Sequence, residues 1–114
     1  MSTTADEILA ADDREPVKVT AWGKTLYLKP MSGTERDAYE LEMYADREAG
    51  NAQQNFRAKL VVRCLHDAEG NRVFTDDQAE ALGRKNSKEL VKLFTKSQKM
   101  NALSQADVDE LAGN

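Results

Sequence analysis

The stretch Val17 to Lys29, VKVTAWGKTLYLK, alternates apolar and polar residues on both sides of a central Gly, and this constrains the chain more than any other feature. Side chains along a strand point alternately to opposite faces, so two alternating runs joined by a Gly-bearing turn predict an antiparallel hairpin with one apolar face. A two-residue loop at Gly23-Lys24, with Gly at the first central position of a type II′ turn, pairs Trp22 with Thr25, Ala21 with Leu26, Thr20 with Tyr27, Val19 with Leu28 and Lys18 with Lys29. Val17, Val19, Ala21, Leu26 and Leu28 then share one face. Trp22, Thr25, Thr20, Tyr27, Lys18 and Lys29 take the other, where Trp22 and Tyr27 are either partner contacts or a cover for the hairpin. A lone hairpin is marginal in water, so the apolar face must cover helices or join more strands.

Beyond Pro30 the period changes from two to about 3.6. Ser32 and Glu35 form a capping box that opens a helix over Gly33–Glu48, with Ala38, Leu41 and Ala45 on one narrow apolar line, Tyr39 and Met43 beside it, and Gly50-Asn51 as its break. A second helix is expected from Ala52 to His66, carrying Phe56, Leu60, Val61, Cys64 and Leu65 as the central core element. The turn Asp67-Ala68-Glu69-Gly70-Asn71 stops it, and Arg72 to Phe74 are extended. Thr75 and Gln78 make another capping box, for a short helix that Gly83 closes in the left-handed conformation. Asn86 or Ser87 opens a longer helix ending near Asn101 to Leu103. Ser104 opens the last, with Asp107 at the positive end of its dipole and Val108, Leu111 and Ala112 on its apolar side.

At 114 residues with 40% hydrophobic content, the chain suits one compact domain with an aliphatic core. The fold class expected is α+β, mainly helical: an N-terminal two-stranded antiparallel hairpin packed on about four to five helices, with residues 1–12 a mobile lead and 13–114 the single domain. There is no apolar run of membrane-spanning length, and MSTTADEILAADD is acidic where a secretory signal would be basic and then apolar. A cytosolic protein is expected. The lone cysteine, Cys64, excludes an intrachain disulfide and a multi-cysteine zinc site.

The net charge of −4 is unevenly spread. Residues 1–81 hold 10 basic and 16 acidic side chains, a net of −6, whereas residues 82–114 carry +2. Between Arg84 and Lys99 six cations face the single anion Glu89. On a helical projection Lys85, Lys88, Lys92, Lys96 and Lys99 fall within about 80° of one another, nearly opposite Leu90, Leu93, Phe94, Ser97 and Asn101. Three readings fit the stripe: a solvated face, a docking surface for an acidic protein, or a nucleic-acid contact. The last is disfavoured by the acidic remainder of the chain and by the lack of aromatic residues among the lysines for base stacking.

Catalytic and metal chemistry find little to work with. Cys64 and His66 are the only Cys and His. On a helix, positions two apart point about 200° from each other, so neither a nucleophile–base pair nor a two-ligand clamp follows. Cys64 reads as a small core residue and His66 as a polar residue at a helix C-terminus. Asp67 to Asn71 lacks the Gly position and closing Glu of a calcium loop. Asp12-Asp13 and Asp76-Asp77 have no partner for acid–base work. No enzyme, metal or cofactor is expected.

One order of motifs is distinctive. An Ile8-Leu9-Ala10-Ala11-Asp12-Asp13 lead precedes a hairpin tipped by Trp22-Gly23 and a helix start with Ser32, Gly33, Glu35, Arg36, Asp37 and Tyr39. There follow R-A-x-L at Arg57 to Leu60, Cys64, D-x-x-G-x-R from Asp67 to Arg72, F-T-D from Phe74 to Asp76, A-L-G from Ala81 to Gly83, and N-A-L-S from Asn101 to Ser104. The series resembles the tail assembly chaperones of long-tailed bacteriophages, in which the last motif is N-G-L-S and Ala102 here replaces Gly. The resemblance implies a non-virion protein of the host cytoplasm that binds the tape measure protein, keeps it soluble and helps recruit tail tube subunits. It also implies a longer version of the chain made by ribosomal frameshifting, and self-association is a further possibility. Trp22, Tyr27, Lys85, Lys88, Lys92, Lys96 and Lys99 are the candidate partner-binding residues. The alternative is a small regulatory or nucleic-acid-binding protein using helix 84–99.

Overall fold

A computed structural model describes residues 3–51 and 54–111. The fold is α+β and mainly helical, as the sequence predicts. The described elements run α1 (Thr4–Ala10), β1 (Val17–Ala21), β2 (Lys24–Leu28), α2 (Gly33–Glu48), α3 (Phe56–Cys64), β3 (Leu65–His66), a 3-10 turn (Asp76–Gln78) continuing into α4 (Ala79–Gly83), α5 (Ser87–Met100) and α6 (Gln105–Leu111).

The hairpin forms, but its register differs from the expected one by two residues. Val17 pairs with Leu28, Lys18 with Tyr27, Val19 with Leu26, Thr20 with Thr25 and Ala21 with Lys24. The loop is therefore Trp22-Gly23, and both residues have positive φ, 50° and 70°, as a type I′ turn requires. A left-handed Trp costs about 1–2 kcal/mol. Its indole, however, packs on the core from the hairpin tip, and burying much of a large aromatic side chain outweighs that cost at about 25 cal/mol per Å². An even slip leaves the residues that remain in the strands on their predicted faces. Val19, Ala21, Leu26 and Leu28 are buried, whereas Val17 is 49% exposed at the open end.

The three-stranded sheet has the order β1-β2-β3: the hairpin joins a further strand, one of the two expected outcomes, but at residues expected to be helical. The helix expected to reach His66 ends at Cys64, and Leu65 and His66 pair with Leu28 and Tyr27. An α-helix continuing through His66 would need the Val62 carbonyl as acceptor. The Arg72 guanidinium takes it instead, Nε at 3.1 Å and Nη2 at 2.7 Å. The same side chain reaches Asp76 Oδ1 at 2.6 Å, so Arg72 both ends α3 and orients α4. The expected start of this helix at Ala52 lies outside the described residues. So does Ala112 of the last helix.

α3 is the central element: Ala58, Leu60, Val61, Val62 and Cys64 are fully buried, and the helix packs on α5, α4, α2 and the 3-10 turn. α2 keeps its predicted bounds and capping box, with Ser32 Oγ accepting from Glu35 N at 3.1 Å and Glu35 Oε1 from Ser32 N at 2.8 Å. α4 ends at Gly83 as expected, yet Gly83 is not among the positive-φ residues. A Cβ there would come within 2.2 Å of Asn55 Oδ1, the movable end of a side chain, so a larger residue requires the Asn55 carboxamide to turn aside.

Residues 1–12, expected as a mobile lead, hold α1 between Thr4 and Ala10. Thr3 caps it reciprocally with Asp6. None of its residues is buried. With α1 there are six α-helices among the described residues, one more than the upper expectation.

Candidate functional site

α5 places Lys88, Lys92, Lys96 and Lys99 where the projection predicts, whereas Lys85 lies in the connection before the helix begins. Asn86 opens the helix by accepting from Lys88 N at 2.8 Å. Leu90, Leu93, Phe94 and Ser97 are buried, and Lys85, Lys88, Lys92, Lys96 and Lys99 are exposed. One of the five is engaged within the fold: Lys92 Nζ donates to the Thr20 carbonyl at 2.5 Å and lies 3.1 Å from Glu89 Oε2. It ties the helix to β1, the edge strand of the sheet, and masks an edge carbonyl there.

Two shallow openings adjoin the stripe. Near the N-terminal end of α5, Trp22, Phe74, Leu82 and Lys85 line an apolar groove of about 280 Å³. The Trp22 Nε1 is sealed from solvent and finds no acceptor, a cost of about 1–3 kcal/mol for a buried donor. At the other end Val17, Leu28, Lys96, Lys99 and Met100 line a cavity of about 360 Å³.

Trp22 and Tyr27, expected to share a face, are not brought together. Trp22 sits in the turn and belongs to the first groove, while Tyr27 lines a separate cavity of about 220 Å³ with Pro16, Lys29, His66, Asp67, Ala68 and Gly70. The reason is the register slip, which moves Trp22 out of the strand. His66 is not a helix-end residue. It is buried in β3, with Nδ1 2.8 Å from the Cys64 carbonyl oxygen.

Cys64 is a fully buried core residue. Burial pushes its thiol up to about 11, so it is protonated at neutral pH and a poor nucleophile. Its neighbour Asn101, which sequence reasoning placed on the apolar side of α5 without a role, is a buried junction. The Asn101 Oδ1 accepts from Met31 N at 2.8 Å, its Nδ2 donates to the Ser97 carbonyl at 2.7 Å and faces Cys64 Sγ at 3.4 Å, and its own carbonyl accepts from Arg36 Nη1 at 2.7 Å. The motif residues Arg36, Cys64 and Asn101 thus meet in one place and hold α2, α3 and α5 together. Only the position of a polar residue in an apolar stripe could have signalled this.

α2 presents a third surface. Its buried residues are Tyr39 and Met43. Arg63, itself buried, pairs with Glu42 and lies 5.2 Å from the Tyr39 ring centroid. Lys59 Nζ is 2.5 Å from Asp46 Oδ2. Burial raises the Tyr39 hydroxyl to about 12 despite the neighbouring guanidinium. The line Ala38, Leu41 and Ala45 consequently faces solvent, with Leu41 72% exposed and Tyr44 beside it half exposed. Asp37 and Glu48 give this strip an acidic rim.

Among the described residues no group of three or more His, Cys, Asp or Glu could hold a metal ion, and no helix is long and apolar enough to cross a membrane. Searches against protein-family models, curated proteins and solved structures find no match to this chain.

Proposed function

We propose that this chain is a tail assembly chaperone of a long-tailed bacteriophage: a non-enzymatic, non-virion protein of the host cytoplasm that binds the tape measure protein and helps recruit tail tube subunits. The observation that carries this reading is the ordered series of motifs from Ile8 to Ser104. Much of that series supports the fold directly. Ser32 and Glu35 cap α2, Asp67 accepts from the amides of Glu69 and Asn71 in the Gly70 turn, and Arg72 terminates α3. A likeness in those residues is a likeness in scaffold.

The α2 strip supplies the client surface. A long client with apolar helices needs a partner that covers them without a deep pocket, and an exposed Leu41 and Tyr44 in an acidic frame suit an amphipathic helix of mixed or basic charge. A longer frameshift product would share this strip and could add further contacts.

The test is co-expression with fragments of the cognate tape measure protein. The wild-type chain should hold an otherwise insoluble fragment in solution and co-purify with it. Leu41→Glu with Ala45→Glu, both exposed and away from α6, should leave the fold intact and abolish both effects. If the wild type neither solubilises nor co-purifies with its client and instead binds DNA or RNA with steep loss in salt, the lysine helix is a nucleic-acid surface and the chaperone reading fails.

A further inference from the structure

We infer that α1 is an exchange arm: it docks in the Trp22–Phe74–Leu82–Lys85 groove of a second copy of this chain. This interaction is independent of the client surface on α2.

α1 is too short to be stable alone, since isolated helices below about 12–15 residues are marginal in water. It also buries nothing within its own subunit, leaving Ile8 66% and Leu9 85% exposed. Two adjacent large apolar side chains on such a helix call for a surface to cover them. The charge of the arm selects the lysine stripe. Of the two openings beside it, only the one at the hairpin tip has an aromatic floor and an unpaired indole N–H, whereas the Val17, Leu28, Lys96, Lys99 and Met100 cavity has neither. Residues 3–13 carry Asp6, Glu7, Asp12 and Asp13 and no Lys or Arg. The α2 strip, framed by Asp37 and Glu48, would repel it. The groove at the hairpin tip has an apolar floor of Trp22, Phe74 and Leu82, and it is edged by Lys85 at the start of the lysine stripe. Ile8 and Leu9 match the floor, and the carboxylates match the rim. The unpaired Trp22 indole N–H also gains if a small rotation of the ring brings it to a carbonyl or carboxylate of the arm.

Geometry favours a second copy over the same one. Arg14 anchors the root of the arm, with Nε donating to the Pro30 carbonyl at 3.0 Å and Nη2 2.5 Å from Glu35 Oε1. That root is at the open end of the hairpin, and the groove is at its tip. Val17 to Trp22 alone spans about 17 Å along β1. With α1 kept helical, Ile8 reaches at most about 17 Å from Arg14. Seating the arm in its own groove would require it to double back at full stretch. Two copies related by a twofold axis can exchange arms reciprocally and bury both.

Mixing full-length Leu9→Cys protein with full-length Lys85→Cys protein under mild oxidation tests the contact, because the native Cys64 is buried and stays out of the reaction. Mixed disulfide dimers should exceed either homodimer. In sedimentation, wild-type association should weaken with added salt. Leu9→Asp, and separately Lys85→Glu with Lys88→Glu, should weaken it by about tenfold or more. Adding Asp12→Lys and Asp13→Lys to the Lys85→Glu, Lys88→Glu chain should restore it. The emission of Trp22, the sole tryptophan, should shift on dilution and in Leu9→Asp alike. A wild type that is monomeric at every concentration overturns the inference. So does association insensitive to both sets of changes, or a Leu9→Cys, Lys85→Cys double variant that closes only within one chain.

Discussion

α2 and α5 are both long helices with apolar residues at helical spacing, and they bury opposite kinds of face. In α5 the broad apolar stripe of Leu90, Leu93 and Phe94 goes inward and the lysines outward. In α2 the apolar line of Ala38, Leu41 and Ala45 stays outside, while Tyr39 and Met43 go inward between carboxylates that pair with Arg63 and Lys59 of α3. The difference lies in the neighbour. α3 offers α5 its apolar side, with the Phe56 and Phe94 rings edge to face at 5.6 Å. To α2 it offers a buried guanidinium and an ammonium, which must be answered by charge. A stripe of apolar residues is a sufficient guide to burial only where the opposing surface is apolar too.

The largest test of this contrast is a pair of truncations. Leu93→Ala should cost about 3 kcal/mol through lost burial and the cavity it leaves, and Leu41→Ala should stay within about 0.5 kcal/mol. Urea unfolding of the two variants measures both, and equal losses would mean that the α2 strip is covered in the folded protein. Glu42→Ala sharpens the same comparison from the other side. It leaves Arg63 with the Lys59 carbonyl and a distant Asp76 at 3.7 Å. The expected loss is about 2–3 kcal/mol, below that of a fully buried pair because Glu42 is about a third exposed. A neutral result would show that the Glu42–Arg63 pair adds nothing to the hold that Tyr39, Met43 and the Asp46–Lys59 pair give α2.

The smallest effect is a gain at the end of α5. Leu103 N donates to the Gln98 carbonyl at 3.0 Å and Ala102 N to the Lys99 carbonyl at 3.1 Å, the two bonds of a Schellman motif. Ala102 holds the left-handed position at φ 53°. Ala102→Gly should therefore stabilise the fold by about 1 kcal/mol, read as a higher urea midpoint with unchanged slope. No gain would mean that the turn relaxes in solution and that the α5 terminus is less fixed than its hydrogen bonds indicate.

The elements were legible in the sequence wherever a local rule decides alone. The capping boxes at Ser32 and Thr75, the Asp67 turn, the faces of the hairpin and the polarity of α5 all follow from residues within a few positions of one another. The Thr3 and Asp6 cap of α1 is a local signal too, but no apolar stripe accompanies it. The candidate surfaces were read less completely. Four of the five stripe lysines stand on α5 as predicted, but the shared face of Trp22 and Tyr27 depended on a register that two turn types could satisfy, and the junction at Asn101 joins residues far apart in the chain.

By itself the sequence determined the secondary-structure periods, most caps and turns, the apolar face of the hairpin and the sign of charge along α5, because each depends on backbone geometry and near neighbours. Tertiary structure alone decided the Trp22-Gly23 turn, the end of α3 at Cys64, the inward face of α2 and the close approach of Asn55 to Gly83. In each case a distant group competes with the local preference: an indole seeking burial, the Arg72 guanidinium taking the Val62 carbonyl, the cations of α3, and the Asn55 side chain filling the space over Gly83. Those competitions are settled by what the folded chain brings within a few ångströms, and no window of sequence contains both contestants.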